Sequence, residues 1–371
     1  MKYFLKKDLR NCIPRFILSY FRWAGFVDAS GQLIKTSFVS YTLDFIVLFT
    51  CIDTLISILV SYDSSEVKLD IIFMSSLALT TIVWYRMRYK KKSTTNFLQK
   101  FDGTSSHSHE KKFNVLVFLT LCIPAIYSAC IICGMNKSEA GLFFIYGYEI
   151  EYISIQNIIV AIKSFCDYTV YPTFGNIVAL LYIFLCLHCS DYLNNLTRKV
   201  DKYSPKDFTP SKQIDILKGR AEIYDILVNT ERIFSFPIFS IIVANVLMLS
   251  SISGSFLISD WSNTEYIWKI ERIFYGTNAC LYVTSILWAA GTVSIEMRKF
   301  KEIFHYKTHL KLLCKYSEEQ LHLKMDLMNE PDFLLTGWNV IHLGRSTILC
   351  LIGTLLTYTV LVINTHGEKE N

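Results

Sequence analysis

The residues best suited to chemistry lie in one apolar stretch, IIVAIKSFCDYTVYPTFGN, at residues 158–176. Lys163 and Asp167 stand four residues apart, a spacing that brings two side chains together on a helix and lets them form an ion pair. Tyr168 and Tyr171 follow, and a tyrosine ring stacks on other rings while its hydroxyl forms hydrogen bonds. Two interpretations fit this pattern: a site for a polar ligand, or a structural ion pair beside interfacial tyrosines.

Two cysteine pairs have the spacing of metal ligands, Cys130-x-x-Cys133 and Cys186-x-x-Cys189. Neither has a second pair of ligands nearby, as a structural zinc site would need. Most of the eleven cysteines stand in apolar runs, where cysteine behaves as a small hydrophobic residue. We therefore expect these pairs to serve packing, and the sequence predicts neither a metal nor another cofactor.

The composition is typical of a membrane protein. Hydrophobic residues make up 52% of the 371-residue chain and charged residues 19%, against about 25% charged in an ordinary soluble domain. A net charge of +5 would suit a nucleic-acid-binding protein, but in a membrane protein it indicates unequal charge on the two sides. Membrane lipid is therefore a predicted partner, and nucleic acid is not.

The apolar stretches predict an all-α protein with seven transmembrane helices, because about 20 mainly apolar residues cross the hydrocarbon core. The fourth stretch is long enough to project beyond the bilayer. We find no linker that would divide residues 1–371 into separate domains. The predicted spans are residues 38–62, 69–85, 113–135, 158–189, 233–259, 270–291 and 346–364.

Lysine and arginine are unevenly distributed among the segments that connect these spans. Alternate segments, beginning with the N-terminal one, hold 31 of them, and the remaining segments hold four. Positive charge stays on the cytoplasmic side during insertion, so the N-terminus is predicted inside and the C-terminus outside. The sequon at Asn136 then falls in an outer loop and is a predicted glycosylation site, whereas the sequon at Asn195 falls inside.

The last predicted span carries polar and aromatic groups at helical spacing, namely Thr354, Thr357, Tyr358, Leu361 and Asn364. Lipid disfavours unsatisfied polar side chains, so this face is predicted either to pack on other helices or to line a polar passage.

The stretch TYTVLVINT at residues 357–365 resembles the C-terminal signature of insect gustatory receptors, Thr-Tyr-x-x-hydrophobic-hydrophobic-x-Gln-Phe. The topology is similar to that family over most of the chain, whereas the specific motifs lie in its second half. Three longer passages are similar to the same family: LHCSDYLNNLTRK at 187–199, AEIYDILVNTERIFSFPIFSIIVANVLM at 221–248 and LLTGWNVIHLGRSTILCLIGTLL at 334–356.

The resemblance implies a tastant-gated, non-selective cation channel in the plasma membrane, formed as a homotetramer or as a heterotetramer with related receptors. Insect odorant receptors belong to the same seven-transmembrane superfamily. Four last helices would surround one central pore, lined by Thr357, Tyr358 and Leu361. The cytoplasmic ends of helices four to seven would pack together as an anchor domain. The tastant would be a sugar or a bitter plant compound.

The chain departs from the family signature at the outer end of this helix, where Asn364-Thr365 replaces Gln-Phe. Asn364 keeps the amide, but Thr365 lacks the aromatic ring that helps to close the pore in relatives. Hydrophobic constrictions gate by dewetting, so we expect Leu361 to close the pore. The alternatives are a leaky pore and a co-subunit that supplies the hydrophobic ring.

In this family the ligand binds in the outer half of the helical bundle of each subunit, at the predicted depth of Lys163. The resemblance therefore implies a ligand site at this depth, and a structural ion pair between Lys163 and Asp167 that tolerates burial stays open as the alternative. The candidate ligand-binding residues are Lys163, Asp167, Tyr168, Tyr171, Phe174, Asp70, Tyr127 and Tyr275, with Asp53 as a further candidate at similar depth.

Other classes fit less well. A G-protein-coupled receptor has the opposite orientation, and a transporter would show paired broken helices in two halves. An enzyme would need a nucleophile with its base or metal ligands, and Glu318, Glu319 and His322 do not form such an arrangement. The main alternative is an odorant-receptor-like channel subunit that needs a co-receptor.

Overall fold

A computed structural model of the chain describes residues 13–28, 33–60, 67–101, 110–134, 145–146, 148, 150, 152–258, 266–314 and 333–367, most of them helical. Within these ranges, the side chains of residues 33–37, 67–70, 134, 257–258, 314 and 362–367 lie outside the description. The predictions for Asn136 and for the side chains of Asp70, Asn364 and Thr365 therefore fall outside the described residues.

The described part consists of ten α-helices, one π-helical segment and one β-hairpin. The π-helical segment, Thr169–Phe174, connects the sixth helix to the seventh across a kink, since Tyr171 within it has non-helical backbone angles. The helices are α1 Arg15–Trp23, α2 Leu33–Val60, α3 Val67–Tyr89, α4 Lys91–Phe101, α5 Glu110–Gly134, α6 Ile153–Tyr168, α7 Gly175–Lys202, α8 Pro210–Ile258, α9 Tyr266–Cys314 and α10 Arg345–Gly367.

Several of these helices are long and apolar enough to cross a membrane, which makes the chain a multi-pass membrane protein. Within the described residues five stretches qualify by length and composition: Phe38–Val60, Glu110–Cys133, Ile153–Lys202, Pro210–Phe256 and Tyr266–Leu313. Helices α3 and α10 cover the other two predicted spans, and the described apolar part of α10 is shorter. The predicted number of seven crossings and the predicted orientation stay predictions.

The chain divides into two compact units. Unit 1 comprises Met1–Leu181, Phe236–Thr284 and Leu349–Asn371, and unit 2 comprises Tyr182–Ser235 and Ser285–Ile348. Each of the helices α7 to α10 contributes residues to both units. Unit 2 contains the basic segments that the family resemblance assigns to a cytoplasmic anchor.

A short β-hairpin in unit 2 precedes α10, and the sequence did not predict it. Strand β1, Thr336–Gly337, pairs antiparallel with β2, Ile341–His342. The turn between them holds Trp338 and Asn339 at φ values of 50° and 56°, a left-handed conformation that asparagine tolerates well. Ser235 Oγ of α8 donates to the carbonyl of Thr336 and accepts from the N–H of Trp338, which fixes the hairpin to α8.

The beginning of α10 is held against α9 by a close backbone approach. The guanidinium of Arg345 lies 3.9 Å from the ring centroid of Trp288, and its Nη2 donates to Thr292 Oγ1 at 3.1 Å. A Cβ atom built on Gly291 would lie only 2.9 Å from the backbone nitrogen of Arg345 and 3.4 Å from Cα of Gly344. Only glycine fits here without a backbone shift.

We expect Gly291→Ala to lower the stability of the purified protein by about 1–3 kcal/mol, because the added methyl group overpacks a backbone contact. Gly219→Ala is the matched control: both glycines are helical residues of unit 2, and a Cβ on Gly219 would meet its neighbours at 3.6–3.7 Å, an ordinary contact distance. Thermal unfolding in detergent measures both variants. Equal melting temperatures for Gly291→Ala and the parent would contradict the close approach.

Candidate ligand site and last helix

Lys163 of α6 forms an ion pair with Asp53 of α2. Their Nζ and Oδ1 atoms are 2.9 Å apart, and the two side chains are only 6% and 5% exposed. The sequence predicted a pair with Asp167 on the same helix, because helical spacing reveals only local partners. The structure instead pairs Lys163 with a residue 110 positions earlier in the chain.

Tyr146 contacts both members of this ion pair, and nothing in the sequence identified it as a candidate site residue. Its hydroxyl donates to Asp53 Oδ1, and the Nζ atom of Lys163 lies 3.8 Å from the centroid of its ring. Burial, together with the hydrogen bond to Asp53, raises the pKa of Tyr146 to about 12. The tyrosine therefore keeps its proton at physiological pH and remains a donor.

Asp167 stands one helical turn after Lys163 with an unsatisfied oxygen. Its Oδ1 atom is buried and has no hydrogen-bond partner among the described residues. The carboxyl lies within electrostatic range of Asp53, Lys163 and Glu271. A buried carboxyl oxygen without a donor is costly, so this oxygen is available to a hydroxyl or ammonium group of a ligand.

An aromatic group, the tyrosine cluster, brings together four of the predicted ligand-binding residues and Phe274. The rings of Tyr168 and Tyr275 stack with centroids 5.7 Å apart and an interplanar angle of 19°. Tyr127 lies 5.0 Å from Tyr168 and 3.9 Å from Phe274, and Tyr171 lies 5.7 Å from Tyr275. Helices α5, α6 and α9 and the π-helical segment therefore meet through ring contacts.

The hydroxyl groups of this cluster differ in their bonding. Tyr168 donates to Glu271 Oε1 at 3.1 Å, so its hydroxyl is already used within the protein. The hydroxyl oxygen of Tyr171 is buried and has no hydrogen-bond partner in the described part of the chain. Together with the Asp167 oxygen it gives the site two polar groups beside aromatic rings, an arrangement that suits a sugar or a protonated amine.

The π-helical segment explains why the predicted residues do not all share one face. Tyr171 has extended backbone angles (φ −129°, ψ 125°), and the following Pro172 lacks an N–H group. The helical phase therefore changes between Tyr168 and Phe174. Phe174 lies apart from the tyrosine cluster, with its ring 4.9 Å from Trp84 and 5.5 Å from Phe26.

Two further members of the site were not named from the sequence. Glu271 had a usable signal, since an acidic residue within the predicted span 270–291 marks a functional position by default. Phe274 is one of 26 phenylalanines, and its type alone does not distinguish it from a lipid-facing residue.

Helix α10 buries only a narrow stripe of its surface. Leu351, Leu355 and Thr359 are half-buried at a spacing of four residues, whereas Gly353 and Thr357 on the opposite side are exposed. Much of the helix therefore lies uncovered in a single chain.

Three threonine hydroxyls of α10, those of Thr354, Thr357 and Thr359, are satisfied within the helix. Thr357 Oγ1 donates to the carbonyl of Gly353 at 2.9 Å, and Thr359 Oγ1 donates to that of Leu355 at 2.8 Å. Among the other predicted pore residues, Leu361 is 59% exposed, whereas the hydroxyl of Tyr358 points towards Gly254 of α8. The predicted pore residues therefore do not all face the same way.

The two cysteine pairs lie in different surroundings. Cys130 and Cys133 are exposed, whereas Cys186 and Cys189 are buried. Within the described residues, no three or more His, Cys, Asp or Glu side chains are grouped closely enough to hold a metal ion.

Comparison with solved structures shows the fold. The insect olfactory receptor OR5 from Machilis hrabei, in complex with eugenol, superposes with a TM-score of 0.70 at 11% identity, over 94% of this chain and 97% of that chain. A second structure of the same receptor superposes with a TM-score of 0.68 at 12% identity, with the same coverage of both chains. No protein-family profile matches the chain. No curated protein matches it in sequence. The chain thus shares the fold of this insect olfactory receptor, which agrees with the fold predicted from the resemblance.

The Lys163–Asp53 pair gives a direct test of the site. Asp53→Asn should destabilise the purified protein by about 3–5 kcal/mol, because it leaves the buried ammonium without its counter-charge. Asp167→Asn is the matched control and should change stability by less than about 1 kcal/mol, because it removes no ion pair. Thermal unfolding compares the two variants. The opposite order would mean that Lys163 pairs with Asp167.

Proposed function

We propose that this chain is a subunit of a ligand-gated, non-selective cation channel of the insect chemoreceptor superfamily. It lies in the plasma membrane with its N-terminus in the cytoplasm and its C-terminus outside. Four copies, or copies together with related receptors, surround a pore formed by α10. The chemoreceptor fold, the charge asymmetry and the C-terminal signature all support this function.

The exposed surface of α10 is the observation that carries the proposal. An apolar helix at the lipid boundary would not need small or hydroxyl-bearing residues on its outer side, yet Gly353 and Thr357 are exposed there. Opposite them, the half-buried stripe of Leu351 and Leu355 packs on the rest of the chain. This division suits a helix with a neighbouring subunit and a pore in front of it.

The ligand site of this proposal consists of the tyrosine cluster and the unpaired Asp167 oxygen. Rings and hydrogen-bonding groups occur together in it, as they do in sites for small organic ligands. A sugar or a bitter plant compound with hydroxyl or ammonium groups fits these contacts. Glycosylation at Asn136 and pore closure by Leu361, or by a co-subunit in place of the Asn364-Thr365 position, remain parts of the proposal.

Two branches of the superfamily fit this fold, the gustatory receptors and the odorant receptors. The C-terminal Thr357-Tyr358 pair favours the gustatory branch. The similarity to an olfactory receptor of Machilis hrabei favours an odorant-receptor-like subunit about equally. A tastant screen with the chain alone and with an added co-receptor separates the two branches.

The channel function predicts that a ligand-evoked cation current persists when G-protein signalling is blocked, and that α10 controls it. In Thr357→Cys a positively charged thiol reagent should reduce the current by more than about half, because Thr357 is exposed. Thr359→Cys is the matched control, since Thr359 is half-buried and also bonds its own helix. The parent chain, treated with the same reagent, gives the loss of current that is due to modification of its own cysteines.

A current lost under the G-protein block would contradict the channel. Equal modification of both cysteine variants would contradict the assignment of the pore face.

The ligand site predicts a change in potency without a change in stability. Tyr171→Phe removes a hydroxyl that is buried without a described partner, so the ligand concentration for half-maximal current should rise about five- to tenfold as one ligand hydrogen bond is lost. Tyr20→Phe is the control, because the Tyr20 hydroxyl is also buried without a described partner but lies on α1. Equal potency of both variants would exclude Tyr171 from the site.

A further inference from the structure

The loop between α7 and α8 in unit 2 carries two hydroxyl-bearing residues that each precede a proline. It runs from residue 203 to residue 209 and is described throughout. Ser204-Pro205 and Thr209-Pro210 are the two places in the sequence where a proline follows serine or threonine. Thr209-Pro210 is explained by the start of α8, since helices begin readily at a threonine followed by proline. Ser204-Pro205 lies between the two helices and has no such role.

The Ser204 hydroxyl lies at the surface of this loop. Ser204, Lys206 and Asp207 are exposed, whereas Phe208 is fully buried, with its ring centroid 5.4 Å from that of Phe304 of α9. Ser204 Oγ donates to Asp207 Oδ2 at 2.6 Å and accepts from the N–H of the same residue at 3.2 Å. Both bonds stay within the exposed loop, so another molecule can reach the hydroxyl without disturbing the buried anchor at Phe208.

Two lysines of α9 hold the loop by its backbone on either side of Ser204. Lys307 Nζ donates to the carbonyl of Tyr203, the residue before Ser204, at 3.2 Å. Lys311 Nζ donates to the carbonyl of Lys206, two residues after Ser204, at 2.6 Å. Two ammonium groups therefore lie beside the stretch of backbone that carries the exposed hydroxyl.

The acids near this hydroxyl are themselves at the surface. Asp201 Oδ1 lies 3.7 Å from Lys307 Nζ, but the Asp201 side chain is 70% exposed, and an exposed pair of this kind contributes little to stability. Asp207 is exposed too, so its carboxylate is free to turn towards water if the bond to Ser204 is lost. A negative group on Ser204 would thus meet ammonium groups on one side and only exposed carboxylates on the other.

We propose that Ser204 is a phosphorylation site for a proline-directed protein kinase. Kinases of this class accept a serine or threonine that a proline follows directly. The Ser204 oxygen attacks the γ-phosphorus of ATP, the bond from that phosphorus to the bridging oxygen breaks, ADP leaves, and the hydroxyl proton passes to the catalytic base of the kinase. The proposal rests on the orientation in the proposed function, which puts this loop in the cytoplasm with ATP and the kinase.

The modification would fix the loop more firmly to α9. A phosphoserine carries about 1.5–2 negative charges at neutral pH and three acceptor oxygens. Ammonium groups bond a phosphate more strongly than they bond a neutral carbonyl, so Lys307 and Lys311 would gain a better acceptor than the carbonyls they use now. Since the loop joins α7 to α8, the phosphate would restrain three helices of unit 2 together.

The test incubates the full chain in detergent micelles with an active mitogen-activated protein kinase and magnesium ATP, and mass spectrometry of proteolytic fragments locates the phosphate. Phosphate on Ser204 of the folded chain is expected, and Ser204→Ala should lose it. Thr209→Ala is the matched control, because Thr209 is also exposed before a proline, and this variant should still be labelled on Ser204. An unlabelled Ser204 in the folded parent chain overturns the proposal, whether or not Thr209 is labelled.

Melting temperature then tests the contact with α9. The phosphorylated chain should melt about 1–3 °C above the unphosphorylated one, and Lys311→Gln should shrink that difference. Lys218→Gln is the matched control, since Lys218 is an exposed lysine of unit 2 on α8 and does not bond the loop, and it should keep the difference. Equal differences in the two lysine variants would contradict the contact with α9.

Labelling in intact cells separates this proposal from the orientation on which it rests. Micelles expose both ends of the chain, so labelling there does not depend on the orientation. Suppose that Ser204 is labelled in micelles but not in cells that contain the same active kinase. If an external protease then cuts the loop, the orientation is wrong and the acceptor site stands. If the loop is protected from that protease, the proposal is overturned.

Discussion

Every polar group inside the apolar part of this chain must find its partner within the protein, because hydrocarbon offers none. Most hydroxyls meet this condition locally: Thr54, Thr80 and Thr120 each donate to the carbonyl four residues earlier. Charged groups cannot do so and need partners on other helices. The Lys163–Asp53 pair is therefore a constraint on how α2 and α6 pack, since neither charge is tolerated there alone.

Buried polar groups that have no described hydrogen-bond partner are informative for the same reason. In unit 1, the Asp167 oxygen and the Tyr171 hydroxyl are buried without described partners and adjoin one aromatic cluster. In a rigid core they would only reduce stability, and a hydrophobic residue of similar volume would be better. A site that exchanges ligands has to keep some of its hydrogen bonds unused until the ligand arrives. Such groups also occur elsewhere, as at Tyr20, so it is their position beside the aromatic cluster that suits them to the proposed ligand site.

The sequence was sufficient for the properties that depend on local pattern. Apolar length predicted helices at each span, from 38–62 within α2 and the residues that follow it to 346–364 within α10, and residues 357–365 of α10 resembled a known signature. The sequence did not identify contacts between residues that are far apart in the chain. Asp53 was only a weak candidate and Tyr146 was absent, because helical spacing relates residues three or four apart and the actual pair spans 110 positions. Phe174 was grouped with Tyr171 because the two stand three residues apart, and the extended backbone at Tyr171 changes the helical phase between them.

The composition of α10 also explains how one surface serves both as a contact and as a passage in the proposed channel. Thr354 and Thr357 bond their own helix, so they leave no unsatisfied hydroxyl when they face apolar neighbours, yet their oxygens still accept a hydrogen bond from water. Gly353 leaves room for a close approach of another helix. Val360 and Leu361 follow towards the outer end and are exposed. The threonines share this exposed surface with Ile352 and Leu356, so in the proposed channel water would follow the hydroxyl groups and closure by dewetting would fall to Val360 and Leu361.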